Sequence, residues 1–390
     1  MAFNVEQRTS DEYDTFMKGT ALLQLRRSAT AKRGHLPACR GLLLSITLAV
    51  LSCCLPGQAL CSASASQAAK QLVFYTYAAS MPQGVLDGFT REYGIPVQYL
   101  SFQSSEEAEE RIRSGQVYDV VLIENQLFPS LIKDRLLAEI NLASVPNFKN
   151  ISANFRDLVY DPGNRYSVPG SYGTTGLVVR TDLVGDHIQG WADLWHLQPP
   201  SKIGLRVQPR EILGMTLTSL GFPFASENPR ELAAALQRLL QLKPSVVMLD
   251  IEAAEAAAKL LRGEIAVLHG YAGDYWAAHR ENPAVTFVLP REGTALWGES
   301  YAIPARSLQK QSAELFINYL LRPEVTAQII NEKKYAQPND SALPLVHPEI
   351  RNNPVVFPGN KELGHGSIVL PLSPEGKKLY ADIWAQFMTE

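Results

Sequence analysis

The chain has 390 residues, enough for two lobes that each bury a hydrophobic core. Its 36 lysines and arginines nearly balance 39 aspartates and glutamates, so the composition gives no indication of the basic stripe that a nucleic-acid-binding protein needs. All four cysteines precede residue 65, which excludes disulfides, cysteine metal sites and a cysteine nucleophile from the rest of the chain.

Residues 1–65 have the order of a secretory signal segment. A basic region from Arg26 to Arg40 precedes the apolar run 41–55, which is too short to span a bilayer as a stable helix. The small residues 63–65, Ala-Ser-Ala, fit a cleavage site. Val50–Cys53 also resembles a lipoprotein processing site, with lipid attached to Cys53. Soluble export, a lipid anchor and an uncleaved membrane anchor therefore all stay open, and each predicts an extracytoplasmic protein.

Strand and helix signals alternate after this leader. Strands are predicted at 71–75, 97–99 and 118–123, and helices at 83–93 and 104–115. Gly94 ends the first helix, and Ser104 with Glu107 forms a capping-box pattern for the second. This alternation predicts a parallel sheet covered by helices.

Glu124 directly follows the third predicted strand. Ligands of open α/β sheets bind at the carboxyl ends of the strands, so Glu124 is a candidate ligand carboxylate. The alternative is structural, because an acidic residue at the start of a helix is stabilised by the helix dipole.

The second half of the chain repeats the same alternation. Strands are predicted at 166–169, 173–180, 203–207, 246–249 and 264–268, and helices at 210–220, 228–242, 250–263 and from 274. The short segment Trp191–Trp195 is predicted to be helical, residues 269–273 to form a loop, and further helices are predicted at 311–321, 323–331 and from 374. Two halves of similar construction predict two similar α/β lobes.

The segment Glu292–Pro304 combines a turn with a short strand-like run at 301–303. Trp297 and Glu299 lie two residues apart, so in extended backbone they point to the same side. An aromatic face beside a carboxylate suits a cation on an apolar stem. The plainer alternative is a core tryptophan beside a solvated glutamate.

Motifs of catalysis and metal binding are missing from the sequence. It contains no G-x-S-x-G, P-loop or H-E-x-x-H pattern, and its seven histidines are scattered. We therefore expect no enzyme activity, no metal site and no cofactor.

Several segments together resemble the bacterial spermidine/putrescine-binding proteins of polyamine ABC importers, a group of extracytoplasmic solute-binding proteins. The segments are Phe74–Pro82, Tyr118–Val121, Trp191–Trp195, Arg210–Glu211, Trp297–Pro304 and Tyr319–Glu324. The resemblance implies the two-lobed α/β periplasmic-binding-protein fold, in which each lobe is a mainly parallel sheet flanked by helices and the lobes close on ligand about a hinge. It implies lobe one at 70–176 plus 298–343 and lobe two at 177–297 plus 344–390.

The resemblance also implies a binding site. Trp297 and Glu299 match an aromatic residue and an acid of the family's slot, and Glu211 matches a second acid. With Glu124, the expected ligand-binding residues are Tyr77, Glu124, Glu211, Tyr271, Trp297, Glu299 and Tyr335. An aliphatic polycation needs such apolar walls and carboxylates, since an unpaired buried charge is very costly. The implied partners are a polyamine and permease subunits; we expect a monomer, no nucleic acid, and membrane contact only through a lipid anchor.

The chain departs from the family pattern at three places. Ala78–Ser80 replaces a polar, acidic loop, Gln208 replaces an aspartate, and Glu124 stands where serine is usual. Either one acid has moved or the ligand differs. The alternatives are a solute-binding protein for another organic cation, a thiamine-like compound or an anion, and an enzyme on the same scaffold. An anion would need arginines, and the one candidate, Arg210, is expected to make a structural ion pair.

Overall fold

The computed structural model describes residues 71–198, 202–249, 253–359, 363–364 and 366–389. The predicted leader, with its cleavage site and Cys53, lies outside the described residues. The strands are β1 (Leu72–Tyr77), β2 (Val97–Phe102), β3 (Val120–Glu124), β4 (Leu137–Ala138), β5 (Val168–Thr174), β6 (Gly176–Arg180), β7 (Ile203–Arg206), β8 (Val246–Leu249), β9 (Val267–Gly270), β10 (Val285–Val288), β11 (Thr294–Pro304) and β12 (Gly366–Ile368).

The helices alternate with these strands. They are α1 (Gln83–Tyr93), α2 (Ser105–Arg113), α3 (Phe128–Lys133), α4 (Thr181–Val184), α5 (Pro209–Ser219), α6 (Pro229–Leu242), α7 (Ala253–Leu261), α8 (Ala272–His279), α9 (Lys310–Leu320), α10 (Pro323–Lys333), α11 (Pro348–Arg351) and α12 (Pro374–Thr389). The predicted segment around Trp191 forms a 3₁₀ helix, Trp191–His196. None of the helices in the described part of the chain is both long and apolar enough for a membrane span.

The first sheet has the strand order β12-β11-β3-β1-β2, and β4 and β5 also pair with β11. Strand β1 runs parallel to both β2 and β3, whereas β11 runs antiparallel to β3 and β5. One face packs on α1, α9 and α10 through side chains such as Phe74, Phe89 and Phe316. The other packs on α2 and α3 through Tyr75 and Phe128, among others.

The second sheet has the order β10-β6-β9-β7-β8. Strand β7 runs parallel to β8 and β9, and β6 runs antiparallel to β9 and β10. Helices α5, α6 and α12 cover one face, and α7 and α8 cover the other. The predicted two-lobed α/β fold is therefore confirmed: each lobe has a parallel core, to which antiparallel strands are added.

The two sheets are connected directly. Strand β5 belongs to the first sheet and β6 to the second, and the single residue Thr175 separates them. Farther along the chain, β10 of the second sheet leads back to β11 of the first. The predicted lobe boundaries stay a prediction, and this crossing at Thr175 lies next to the expected boundary after residue 176.

Several features differ from the predicted elements, and β4, β12 and α11 were not predicted. Strand β11 extends from Thr294 to Pro304 rather than only over 301–303, because its ends are buried and show no alternating pattern. Strand β10 was not predicted, since its four residues give only a weak signal. His269 and Gly270 belong to β9, where a loop was expected.

Candidate functional site

A cavity of about 610 Å³ lies between the two lobes, a volume in the range of small-molecule sites. Its lining includes the ends of β1 and β3, the middle of β11 and the first turn of α5. All the residues of the predicted site line it, namely Tyr77, Glu124, Glu211, Tyr271, Trp297, Glu299 and Tyr335. The three glutamates thus reach one space from different parts of the chain.

Glu124 and Glu299 face each other across the antiparallel pairing of β3 and β11, where their Cα atoms are direct partners. Side chains at such positions share one face of the sheet, with Cβ atoms about 5 Å apart. Glu124 accepts hydrogen bonds from the Tyr77 hydroxyl (2.7 Å) and the Gln126 amide (2.5 Å). Glu299 accepts one from the Ser171 hydroxyl. Among the described residues, the donors to these two carboxylates are neutral hydroxyl and amide groups.

The carboxylate pair is poised to change its charge near neutral pH. Burial raises the pKa of Glu124 to about 7; the Tyr77 hydrogen bond opposes this rise, and the negative charge of Glu211 adds to it. Burial also raises the pKa of Glu299 to about 7, against the hydrogen bond from Ser171. A cation placed between the two would favour their ionised forms and remove the cost of their burial.

Glu211 is one of five glutamates that line the cavity, and it reaches the cavity from the second lobe. It lies in the first turn of α5 and is only 8% exposed. Its Oε2 atom accepts a hydrogen bond from the Tyr271 hydroxyl at 3.0 Å and lies 3.3 Å from His269 Nε2. Both neighbours contact the same oxygen, Oε2.

An aromatic wall stands beside the carboxylates. The ring of Trp297 makes edge contacts with Tyr271 (5.9 Å between centroids) and with Tyr335 (5.7 Å). Gly173, paired with Trp297 across β5 and β11, provides room for the indole, because a Cβ atom there would overlap the ring. Trp297 and Glu299 are both half-buried and line the same cavity. The alternative of a core tryptophan beside a solvated glutamate does not describe this arrangement.

Four basic residues also line the cavity, and sequence reasoning selected none of them: Arg206, Arg280, Lys333 and Lys334. Arg206 ends β7 and forms an ion pair with Asp274 at 2.5 Å, while its guanidinium lies 5.8 Å from the Tyr271 ring centre. The rule that selected Glu124, a polar residue at the carboxyl end of a parallel strand, would have selected Arg206 as well. The pairing with Asp274 means that Arg206 brings no net positive charge to the cavity.

Arg210, the candidate for binding an anion, is outside the residues that line the cavity. It donates a hydrogen bond to the Leu370 carbonyl (2.8 Å), and its guanidinium lies 5.3 Å from the Tyr380 ring centre. Among the residues that the structure describes, it therefore contacts a carbonyl and a ring and does not make the expected ion pair. Gln208 and Ala78–Ser80 do line the cavity, so the departures from the family pattern concern the site itself.

The two-lobed fold and the cavity between its lobes define a class, the solute-binding proteins. Residues 85–358 match the family described as bacterial extracellular solute-binding protein, and the chain belongs to that family. It is 30% identical over 298 residues to the spermidine/putrescine-binding periplasmic protein of Escherichia coli K12, covering 76% of this chain and 85% of that protein. It is 31% identical over 321 residues to the putrescine-binding periplasmic protein SpuD of Pseudomonas aeruginosa, covering 77% and 87% of the two chains.

A solved structure is also similar to this chain. The putative spermidine/putrescine ABC transporter protein from Listeria monocytogenes superposes with a TM-score of 0.77. The two chains are 26% identical, and the match covers 82% of this chain and 99% of that one.

Proposed function

We propose that this protein captures a polyamine, putrescine or spermidine, in the cavity between its lobes and delivers it to an ABC importer. The observation that carries the proposal is the facing pair Glu124 and Glu299, whose hydrogen-bond donors are neutral, beside the ring of Trp297. Relatives that match about three quarters of this chain are named as spermidine- or putrescine-binding proteins.

The cavity supplies what an aliphatic polyamine requires. Charge-assisted hydrogen bonds from an ammonium group to carboxylates are about twice as strong as neutral ones. Glu299 and Glu211 suit different ammonium groups, since they belong to different lobes, and Glu124 lies across the sheet from Glu299 while the charge of Glu211 also acts on it. The rings of Trp297, Tyr271 and Tyr335 cover the methylene chain and face the charges.

Closure of the two lobes about the crossing near Thr175 would complete the site. Lobe one would comprise 70–176 plus 298–343, and lobe two 177–297 plus 344–390. In this proposal the protein is a periplasmic monomer without enzyme activity, and its partners are the ligand and the permease subunits. Cys53 would carry a lipid anchor if the leader is processed as that of a lipoprotein.

Another organic cation is a second candidate ligand. It is favoured by Glu124, which lies directly across the sheet from Glu299, and by the neutral Gln208. Such clustering suits a cation with one charged end. An anion is a poorer fit, because five glutamates line the cavity against four basic residues, one of which, Arg206, is already paired with Asp274.

A thermal-shift series with isothermal titration calorimetry tests the proposal. The purified protein is mixed with putrescine, spermidine, spermine, thiamine or sulfate. A ligand present at about 1,000 times its dissociation constant adds about 4 kcal/mol to the free energy of unfolding. We expect a shift with a polyamine that is lost in Glu299→Gln and kept in the matched surface variant Glu110→Gln. A shift with thiamine or sulfate alone would refute polyamine capture.

A further inference from the structure

An ion pair joins the two lobes outside the cavity. Lys377 Nζ, in the first turns of α12, lies 2.9 and 2.7 Å from the two carboxylate oxygens of Glu109 in α2. Helix α2 packs on the first sheet through Ala108 and Ile112. Helix α12 packs in the core of the second lobe through Tyr380 and Phe387. The pair therefore connects elements that belong to different lobes.

Glu109 is held in place for this contact by its own lobe. Its carboxylate also accepts hydrogen bonds from Arg113 (2.8 Å) and Ser130 (3.1 Å), and its side chain is 13% exposed. Burial acts to raise the pKa of Glu109, but the hydrogen bonds from Lys377 and Arg113 outweigh it and lower the pKa below its ordinary value. A fixed, ionised carboxylate thus meets a lysine that is 42% exposed.

A second contact between the two lobes lies at the rim of the cavity. The Gln208 amide, just before α5, donates to the backbone carbonyl of Gln103, just before α2, at 3.3 Å. Both glutamines line the cavity. The lobes therefore touch at the cavity rim and again at Lys377.

We propose that Lys377 and Glu109 form a latch that sets the affinity of capture by stabilising the closed arrangement of the lobes. The inference rests on the proposed function. Neither residue lines the cavity, so the pair acts through closure and touches no ligand. An interaction present only when the lobes are together increases the closed fraction, and the apparent dissociation constant changes in inverse proportion. Because Lys377 is partly exposed, we expect an effect of roughly two- to five-fold.

The test uses the full-length protein and three variants. Lys377→Met removes the charge, Lys377→Arg restores it, and Lys378→Met changes the exposed neighbouring lysine as the matched control. Calorimetry with putrescine and with spermidine gives the dissociation constants, and small-angle X-ray scattering gives the dimensions of the ligand-free protein. We expect two- to five-fold weaker binding and a larger radius of gyration in Lys377→Met only, with recovery in Lys377→Arg.

Two further measurements distinguish a failure of the latch from a failure of the proposed function. The difference between wild type and Lys377→Met should shrink at 0.5 M salt, where ion pairs are screened. Equal affinities, or an equal loss in Lys378→Met, would overturn the latch. If the wild type binds neither polyamine, the proposed function fails, and the scattering still decides the latch: identical ligand-free profiles of wild type and Lys377→Met overturn it.

Discussion

The affinity for a polyamine should rise steeply between pH 6 and pH 8. Glu124 and Glu299 have pKa values raised to about 7 in the ligand-free protein, so each is about nine-tenths protonated at pH 6 and one-tenth at pH 8. Aliphatic ammonium groups stay charged throughout this range. Because a bound ammonium group requires the ionised carboxylates, each one should contribute about a tenfold gain in affinity, or about a hundredfold together.

Isothermal titration calorimetry in buffers of different ionisation enthalpy measures both the affinity and the protons released. Wild type should release close to two protons per ligand at pH 6 and few at pH 8. Glu299→Gln should release one proton fewer and lose about half of the logarithmic pH dependence, whereas Glu110→Gln should match wild type. An affinity that is constant within twofold from pH 6 to pH 8, or that falls with pH, would refute this reasoning.

The same two groups give the ligand-free protein a pH-dependent stability of defined sign. Between about pH 4.5 and pH 7 the folded state binds more protons than the unfolded state, because the folded pKa values are the higher ones. The free energy of unfolding should therefore fall as pH rises through this window and level off above it. Each carboxylate contributes at most about 3 kcal/mol, reduced by the water of the cavity. Urea melts at pH 5 and pH 8 measure the difference, and Glu299→Gln should roughly halve it.

Three substitutions test the remaining parts of the site. Trp297→Leu should weaken polyamine binding by roughly three- to thirtyfold, since a cation–π contact is worth about 0.5–2 kcal/mol, with little change in melting temperature; unchanged affinity by calorimetry would exclude the ring from the site. Glu211→Gln should weaken binding roughly tenfold or more through a lost charge-assisted bond of about 1.5–3 kcal/mol, a loss expected with diamines but not with a monoamine. Gly173→Ala should lower the free energy of unfolding by about 1–3 kcal/mol in denaturant melts, because the added methyl overlaps the indole; a neutral effect would mean that the ring moves freely.

Local chemistry made many of the element boundaries predictable. The helix at Gln83–Tyr93 ends at Gly94 in the left-handed conformation, as the glycine predicted. The Ser104 side chain caps α2 by accepting from the Glu107 amide, as the capping-box pattern predicted. These signals lie within a few residues of the structure that they determine, so a single sequence contains them.

The geometry of the site depends on contacts between distant segments, which no local pattern encodes. The carboxyl-end rule selected Glu124, and the spacing within β11 placed Trp297 and Glu299 on one side. That Glu124 faces Glu299 follows from the register of two strands 175 positions apart, which only the folded sheet fixes. The pairing of Arg206 with Asp274 across 68 residues was missed for the same reason.

The position of Trp297 has a practical consequence for optical measurements. Its indole lies where β11 pairs with β5, opposite Gly173. Gly173 is two residues before Thr175, the single residue that connects the two sheets. Closure as proposed would change the surroundings of this ring, because the ring also contacts Tyr271 of the second lobe. Tryptophans such as Trp191, 1% exposed in the core of the second lobe, keep constant surroundings during that closure. Trp297 is therefore an intrinsic fluorophore beside the connection between the lobes. Its emission would report the proposed closure in a stopped-flow instrument without any added dye.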